Sequence, residues 1–418
     1  MLRFANGTRM VKNDDIYFVG NIENGQYIIV DEPSAMFIEN LVNTSIDDKD
    51  ELTENEKIIL DTCQNLDLLV NKAGCDASEN SVLKMNTAYF HVTDRCNYHC
   101  LGCYSDEGNE RCIDKDYLST KQAKELLDKL SALGVENLII SGGEPFLRHD
   151  LLDLLMYARK SLGFDKIIIG TNGSVLPKKE IRKYIGIVDN ISVAIDGYDE
   201  KNSKFLRDGG SYEKSIDSIK YLRNNQLPVS MVATLHKKNS KYYKEYQKLS
   251  DELQVPLSFS LLTCSPSNKS IEGFLLDGKD MLDFYETVKN DRVLNAQLED
   301  SLVFDDLSFK DGCGAGGEMI SVSYDGTIYP CHMLHDPELA LCNLLDESLE
   351  KVKEYFNNQK QFSVENVDSC KKCDYIYFCG GGCRARTWMY FKNPNNLEPH
   401  CELYKVYIKE KVNTLIGR

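Results

Sequence analysis

No stretch of the chain approaches the roughly 18–20 consecutive apolar residues that a membrane span requires, so a membrane location is not expected. The N-terminal MLRFANGTRMVKNDD lacks the apolar core of a signal peptide, and a cytoplasmic location is expected. Basic charge is in deficit. The 49 Lys and Arg stand against 65 Asp and Glu, a formal net charge of −16. Nucleic-acid binding needs a basic stripe, so that class is set aside, whereas a basic peptide partner fits an acidic surface. Internal repeats and low-complexity tracts are also absent, which argues against solenoids and compositionally biased linkers.

Cysteine, by contrast, is plentiful, with 15 residues. A reducing compartment disfavours structural disulfides, which leaves metal ligation or thiol chemistry. Cys63, Cys75, Cys112, Cys264 and Cys342 are scattered, while the others crowd into 96–103 and 313–401.

Three units are expected, over residues 1–85, 86–298 and 299–418, in a chain whose 42% hydrophobic content fills ordinary cores. In the first, Ile16 to Val19 and Tyr27 to Val30 flank Asn24-Gly25, a hairpin signal. Two helices follow, one in SAMFIENLV and one from Asn55 to Val70, separated by the acidic NTSIDDKDELTE. The second unit alternates helices with the strand candidates NTAYFHVT, NLIISGGE, KIIIGTNG, NISVAIDG, PVSMVATL and LSFSLLTC. Ser119 and Gln122 form a capping-box signature, Asp150 can cap the next helix, and Gly163 can end it. Repeated strand–helix units imply an α/β fold with a parallel sheet and chemistry at the C-terminal strand ends. The third unit holds the run MISVSYDGTIYPC with a turn at Asp325-Gly326, then a cysteine- and glycine-rich tail. Such a tail cannot build a large apolar core and is expected to depend on metal centres.

Cys96-x3-Cys100-x2-Cys103 follows the first of these strands. Three thiolates hold three corners of a cubane, and a cluster normally takes four, so one iron stays open. A zinc knuckle that recruits His99 is the competing reading, although zinc sites usually close at four ligands in paired sets. The loop resembles the CxxxCxxC signature of the radical S-adenosylmethionine (SAM) superfamily. Ser141-Gly142-Gly143-Glu144-Pro145 resembles its GGEP motif, and Thr171-Asn172-Gly173 and Ala194-Ile195-Asp196-Gly197 resemble the ends of its third and fourth strands. The resemblance implies a partial (β/α)6 barrel and a 4Fe–4S cluster on Cys96, Cys100 and Cys103 whose open iron binds SAM. It also implies a cofactor site built from Gly142, Gly143, Glu144, Pro145, Thr171, Asn172 and Asp196. The glycines would let backbone approach the methionine moiety, and Glu144 would accept from its ammonium group. Reductive cleavage would then yield a 5′-deoxyadenosyl radical that abstracts hydrogen. Two positions depart from the pattern. Gly102 stands where many relatives carry an aromatic residue, with Tyr104 following, and Ala194 stands in place of a serine.

The second cysteine group runs Cys313, Gly326-x4-Cys331, Cys370-x2-Cys373-x5-Cys379-x3-Cys383 and Cys401. It resembles the SPASM pattern of radical SAM enzymes that act on peptides and proteins. The resemblance implies two auxiliary 4Fe–4S clusters, for three in all. Cys370, Cys373, Cys379 and Cys401 would hold one, and Cys313, Cys331 and Cys383 the other. Cys342 is a candidate fourth ligand for the latter, or a small buried apolar residue. A structural zinc site or a non-catalytic electron-transfer module is the alternative for the whole group.

Sulfatase maturases of this family, which form formylglycine, usually carry an aspartate after the cysteine of the Gly-x4-Cys element. Here that position is His332, a candidate catalytic base or a surface histidine. The hairpin, VDEPSAMFIENLV and the helix ending LDLLV resemble the winged-helix-like leader-recognition element of peptide-modifying enzymes. Such elements add a leader peptide as a strand to a sheet edge. The alternative is a cap on the neighbouring domain. The resemblance favours a maturase that crosslinks a ribosomally made precursor peptide, by a thioether ahead of a carbon–carbon bond, with a flavodoxin- or ferredoxin-type electron donor. A sulfatase-maturase-like activity is the runner-up.

Overall fold

A computed structural model describes residues 2–43, 52–71, 85–103, 117–203, 206, 210–264, 270–289, 307–357 and 362–417. Cys75, Cys112, Tyr104, most of the acidic loop and the 298/299 boundary lie outside them.

The six runs expected as barrel strands form β6 (Thr87–His91), β7 (Asn137–Ser141), β8 (Lys166–Thr171), β9 (Asn190–Ala194), β10 (Val229–Leu235) and β11 (Leu257–Leu261). They pair in parallel in chain order, the arrangement that crossover helices dictate. Buried residues alternate along them, as in Val229, Met231, Ala233 and Leu235, and meet the Leu126, Leu127 and Leu130 stripe of the helix Thr120–Ala132. Ser119 and Gln122 close the expected capping box, and Gly163 ends its helical segment with φ 74°. Asp150 heads its helix without capping it, because its carboxylate is taken by Arg148 and Thr120.

The sheet does not stop at six strands. β12 (Met319–Val322) pairs in parallel with β6 from Met319↔Thr87 to Val322↔Phe90. β13 (Thr327–Tyr329) and β14 (Cys342–Asn343) follow antiparallel, giving a nine-stranded sheet. The hairpin at Asp325-Gly326 therefore extends the barrel's own sheet.

At the N-terminus, β2 (Thr8–Asn13), β3 (Ile16–Asn21) and β4 (Tyr27–Asp31) form an antiparallel sheet with β4 at its end. β1 (Leu2–Phe4) pairs with β5 (Leu69–Asn71). The second helix spans Glu54–Asn65, shorter than the expected run to Val70. Asp67 turns the chain at φ 53°, and Leu69 and Val70 join β5 opposite Phe4 and Arg3. Side-chain alternation splits the three-stranded sheet between two cores. Val19, Ile28 and Val30 pack with Ile38, Leu41, Leu60 and Cys63 beneath the helices. Phe18, Tyr27 and Ile29 face the other way, onto Phe309 and Phe378. The Phe18 ring lies 4.8 Å and the Tyr27 ring 5.0 Å from Phe378, both edge-on. Gly20 is required there, since a Cβ would stand 2.4 Å from the Phe309 ring.

This junction corrects the expectation for the tail. The helix Cys401–Leu415 contributes Leu403, Tyr404, Tyr407, Ile408 and Val412 to the same core, beside Met281 and Tyr285 of the helix Gly278–Val288. The tail has apolar packing because it shares it with the N-terminal sheet and a barrel helix. Among the described residues, no helix is long and apolar enough to cross a membrane.

Candidate active site and cysteine clusters

Strand pairing between β6 and β7 continues past both strand ends. Val92 N donates to Ser141 O (3.1 Å), Gly143 N to Thr93 O (2.8 Å) and Glu144 N to Arg95 O (2.7 Å). The Gly142–Glu144 segment thus lies along the residues that lead into Cys96. Both glycines are needed for that approach. A Cβ on Gly142 would stand 2.3 Å from Thr93 O, and one on Gly143 2.1 Å from Arg95 O. Gly142 also sits at φ 121°, a conformation that glycine tolerates. The first demand for bare backbone here comes from the protein itself, where sequence reasoning assigned it to the cofactor.

Glu144 is wholly buried. Its carboxylate accepts from Thr171 Oγ1 (2.8 Å), Asn172 N (2.8 Å) and Phe146 N (3.1 Å), and Pro145 opens the short 3-10 turn that presents the last of these. The end of β7 is thereby tied to the end of β8. Asn172 extends the tie: its Nδ2 donates to Asn97 Oδ1 (3.1 Å) and lies 3.7 Å from Cys96 Sγ. Asp196, after β9, is buried. Its carbonyl accepts from Tyr246 Oη (3.1 Å), and its charge faces His236, whose burial pulls the imidazole down to about 4.

Arg148 was not singled out in the sequence. Its buried guanidinium donates to the Val92 and Leu118 carbonyls (both 2.8 Å), pairs with Asp150 and lies over the Tyr117 ring. The local signal was the Arg-x-Asp spacing four residues beyond Glu144. The far end of the cysteine loop is fixed by Leu101 N donating to Leu206 O (2.7 Å). Gly102 has φ 73°, and a Cβ there would stand 2.0 Å from Ile271 Cδ1. The buried Ile271 occupies that space, which accounts for glycine in place of an aromatic residue. Cys96, Cys100 and Cys103 are all partly exposed.

The C-terminal thiols fall into two groups. Burial raises the Cys331 thiol well above its ordinary range, and Cys313 and Cys383 reinforce the effect. Burial likewise pushes Cys379 up to about 12, with Cys401 and Cys370 contributing, and Cys401 up to about 11, where Cys370 and Cys373 add to it and Lys405 opposes. Cys342 stands apart. Burial raises its thiol to about 11, and the charges that act on it are Glu347 and Lys351, with no other cysteine. Among the described residues, no three His, Cys, Asp or Glu side chains converge as ligands of one metal ion. A cubane spreads its thiolates over separate irons, and the grouped, acceptor-rich cysteines suit that donor chemistry.

His332 stacks on Tyr89 of β6 (4.1 Å between centroids, 18° between planes), with Nδ1 3.6 Å from Cys331 Sγ. Burial pulls it down to about 4, so it is neutral at neutral pH and a weak base. Beside it His335 stacks between His91 (4.1 Å) and Tyr329 (4.4 Å), and its Nε2 meets Ser321 Oγ at 2.7 Å. Sequence reasoning missed this stack, since its members come from three strands and a loop and share no local pattern.

The comparisons agree with this geometry. The radical SAM superfamily profile matches residues 90–249, and the SPASM iron–sulfur cluster-binding domain matches residues 313–374. An AdoMet-dependent heme synthase of Methanosarcina barkeri is 26% identical, over 75% of this chain and 95% of its own. The mycofactocin maturase MftC of Mycolicibacterium smegmatis is 24% identical, over 75% of this chain and 81% of its own. The structure of Streptococcus suis SuiB bound to its precursor peptide SuiA superposes with a TM-score of 0.61 at 18% identity, covering 95% of this chain and 99% of that one. With a parallel barrel whose strand ends carry the CxxxCxxC loop and the GGEP segment, and a cysteine-rich C-terminal domain of matching type, the chain belongs to the radical SAM superfamily and is a radical SAM enzyme with a SPASM domain.

Proposed function

We propose that this enzyme matures a ribosomally made precursor peptide, with residues 1–85 as leader-recognition unit, 86–298 as catalytic barrel and 299–418 as auxiliary-cluster domain. Cys96, Cys100 and Cys103 would hold the catalytic cluster. Cys370, Cys373, Cys379 and Cys401 would hold one auxiliary cluster, and Cys313, Cys331 and Cys383 another. Bound cluster and SAM supply the 5′-deoxyadenosyl radical. The chain's own residues orient them: Gly142, Gly143 and Pro145 shape the loop, Glu144 and Thr171 brace it, Asn172 meets the Cys96 side, and Asp196 closes the strand-four end. His332, stacked on Tyr89 and next to Cys331, would be the candidate proton acceptor, a weak one because burial depresses its imidazole. Thioether formation is favoured, since a three-cysteine cluster leaves an iron for a substrate thiolate. Reducing equivalents would come from a flavodoxin- or ferredoxin-type donor.

The observation that carries this reading is the end strand β4. Asn21 N donates to Gln26 O, and antiparallel bonding alternates from there. The amides of Ile29 and Asp31 are thereby turned away from β3, where an added strand would pair. The superposition that includes this part of the fold is with SuiB, solved with its precursor peptide. Calorimetry with the leader peptide encoded by any short open reading frame found beside the gene tests it. Ile29→Pro removes one outward amide and should weaken leader binding at least tenfold while uncoupled SAM cleavage persists. No leader binding by well-folded wild type would sink the proposal.

A second reading has its own support. The heme synthase aligns over 95% of its length but over only 75% of this chain, so a tetrapyrrole substrate in the barrel is the alternative. Binding of an iron porphyrin with no response to leader would favour it.

A further inference from the structure

The helix Arg384–Phe391 starts immediately after Cys383 and buries two arginines in its first turn. Arg384 is 0% and Arg386 2% exposed. The two are satisfied differently. Arg386 pairs with the equally buried Glu398. Arg384 donates from Nη1 to the carbonyls of Pro394 (2.6 Å) and Asn396 (3.3 Å). Its Nε and Nη2 are buried without a hydrogen-bond partner, and among the described residues no carboxylate pairs with it.

A desolvated cation with idle donors is costly unless an anion accompanies it. Position says which anion. The guanidinium lies over the backbone of Gly381, in the loop between Cys379 and Cys383, where a Cβ would meet Cζ and Nη2 at 3.2 Å. Gly381 has φ 79°, so the loop is shaped to admit it. Val364 touches the same point and packs with Cys370 and Cys373. The positive charge also reaches the Cys370 thiol, where it works against the effect of burial. Arg384 therefore sits against the group formed by Cys370, Cys373, Cys379 and Cys401. A thiolate-ligated 4Fe–4S cluster is an anion, accepts hydrogen bonds at sulfur, and gains one more negative charge on reduction.

We propose that Arg384 is a tuning residue for the auxiliary cluster on Cys370, Cys373, Cys379 and Cys401, donating to its sulfur atoms through Nε and Nη2 and raising its reduction potential. The inference rests on the proposed ligand set and goes beyond it, since ligation alone assigns Arg384 no role. Arginine suits the task because its charge is permanent and its donors are planar and fixed.

The test uses the full-length chain with Cys96, Cys100 and Cys103 changed to Ala, so that only auxiliary clusters titrate. Potentiometric titration followed by electron paramagnetic resonance compares it with added Arg384→Gln or Arg384→Lys. Arg384→Gln should lower one midpoint by at least about 59 mV, tenfold in a one-electron equilibrium, and leave the other unmoved. Arg384→Lys keeps the charge and should lower it less. An unchanged midpoint, or an equal fall in both clusters, overturns the proposal. If Arg384→Gln fails to assemble the cluster, pulsed resonance on reduced protein with ¹⁵N-arginine decides. Guanidinium nitrogen coupling supports the proposal and its absence overturns it. A parent protein with iron for only one auxiliary cluster overturns the ligand set and the inference together, whereas two clusters with a flat potential overturn the inference alone.

Discussion

The loop around Cys96 and the tail from Cys370 to Cys401 both gather thiols, but they are built by different means. The loop hangs on main-chain bonds from Thr93 and Arg95 to Gly143 and Glu144, and on the Glu144 carboxylate that gathers Thr171 and Asn172. Those bonds are made entirely between groups of the protein. The tail has short turns, a four-residue helix at Ile376–Cys379, the helix Arg384–Phe391, and thiols whose values burial raises. Under the proposed ligand set, metal binding there would displace thiol protons next to the buried Arg384 guanidinium. The first site is held by the sheet's own strand ends, whereas in the second the proposed cluster would add metal–thiolate bonds to a segment with little regular structure of its own.

Cysteine removal at each site should break the comparison most visibly. The Cys96/Cys100/Cys103→Ala variant should lose all SAM cleavage and fall from about 12 to about 8 iron, with amide protection unchanged across the chain. Changing Cys370 and Cys373 to Ala should remove a similar amount of iron, yet expose 362–383 to hydrogen exchange while β6 to β8 stay protected. Equal loosening in both variants would erase the distinction. A smaller effect is expected at Gly143→Ala, where the added methyl meets the Arg95 carbonyl. Overpacking of this kind costs about 1–3 kcal/mol, visible in denaturant melts, and SAM affinity should fall with it. If stability and affinity both held, the loop would be more pliable than its bonds suggest.

The smallest effect concerns acid. Burial first, then His332, pull the His335 imidazole down to about 3, and Asp325 opposes them. A depressed folded value means stability that is full above the unfolded value of about 6.5 and lost as pH falls toward about 3. His335→Phe keeps a ring between His91 and Tyr329 and removes the titrating nitrogen. Its melting temperature should therefore decline less between pH 6 and 4 than that of wild type. An identical decline would place the acid sensitivity elsewhere, with His236 and His332, both pulled down to about 4, the other buried imidazoles to change.

Much of the fold was legible because its signals are local. The six barrel strands are β-rich runs bounded by helical stripes, and the hairpin of β3 and β4 announces its own turn. The Asn55–Val70 helix was drawn too long, because Leu69 and Val70 are claimed by β1 from the far end of the unit. The tail's core was invisible for the same reason: Phe18, Phe309 and Phe378 carry no shared period, and only the folded chain makes them neighbours. At the site, cysteine spacing and the GGEP segment singled out two loops that the structure places side by side. What the glycines and Glu144 do there depends on which backbone lies opposite, and spacing holds no information about that.

One pairing has a consequence for the order in which the chain can fold. β6 lies between β7 and β12, and Tyr89 and Ser321 on its β12 side are 232 residues apart. During synthesis β7 arrives early, but that side of β6 stays an open edge until the ribosome has delivered β12. The loop carrying Cys96 springs from this half-finished strand. A chain stalled before residue 319 would therefore offer both an exposed sheet edge on β6 and, a few residues on, the three thiols of the Cys96 loop to whatever it meets.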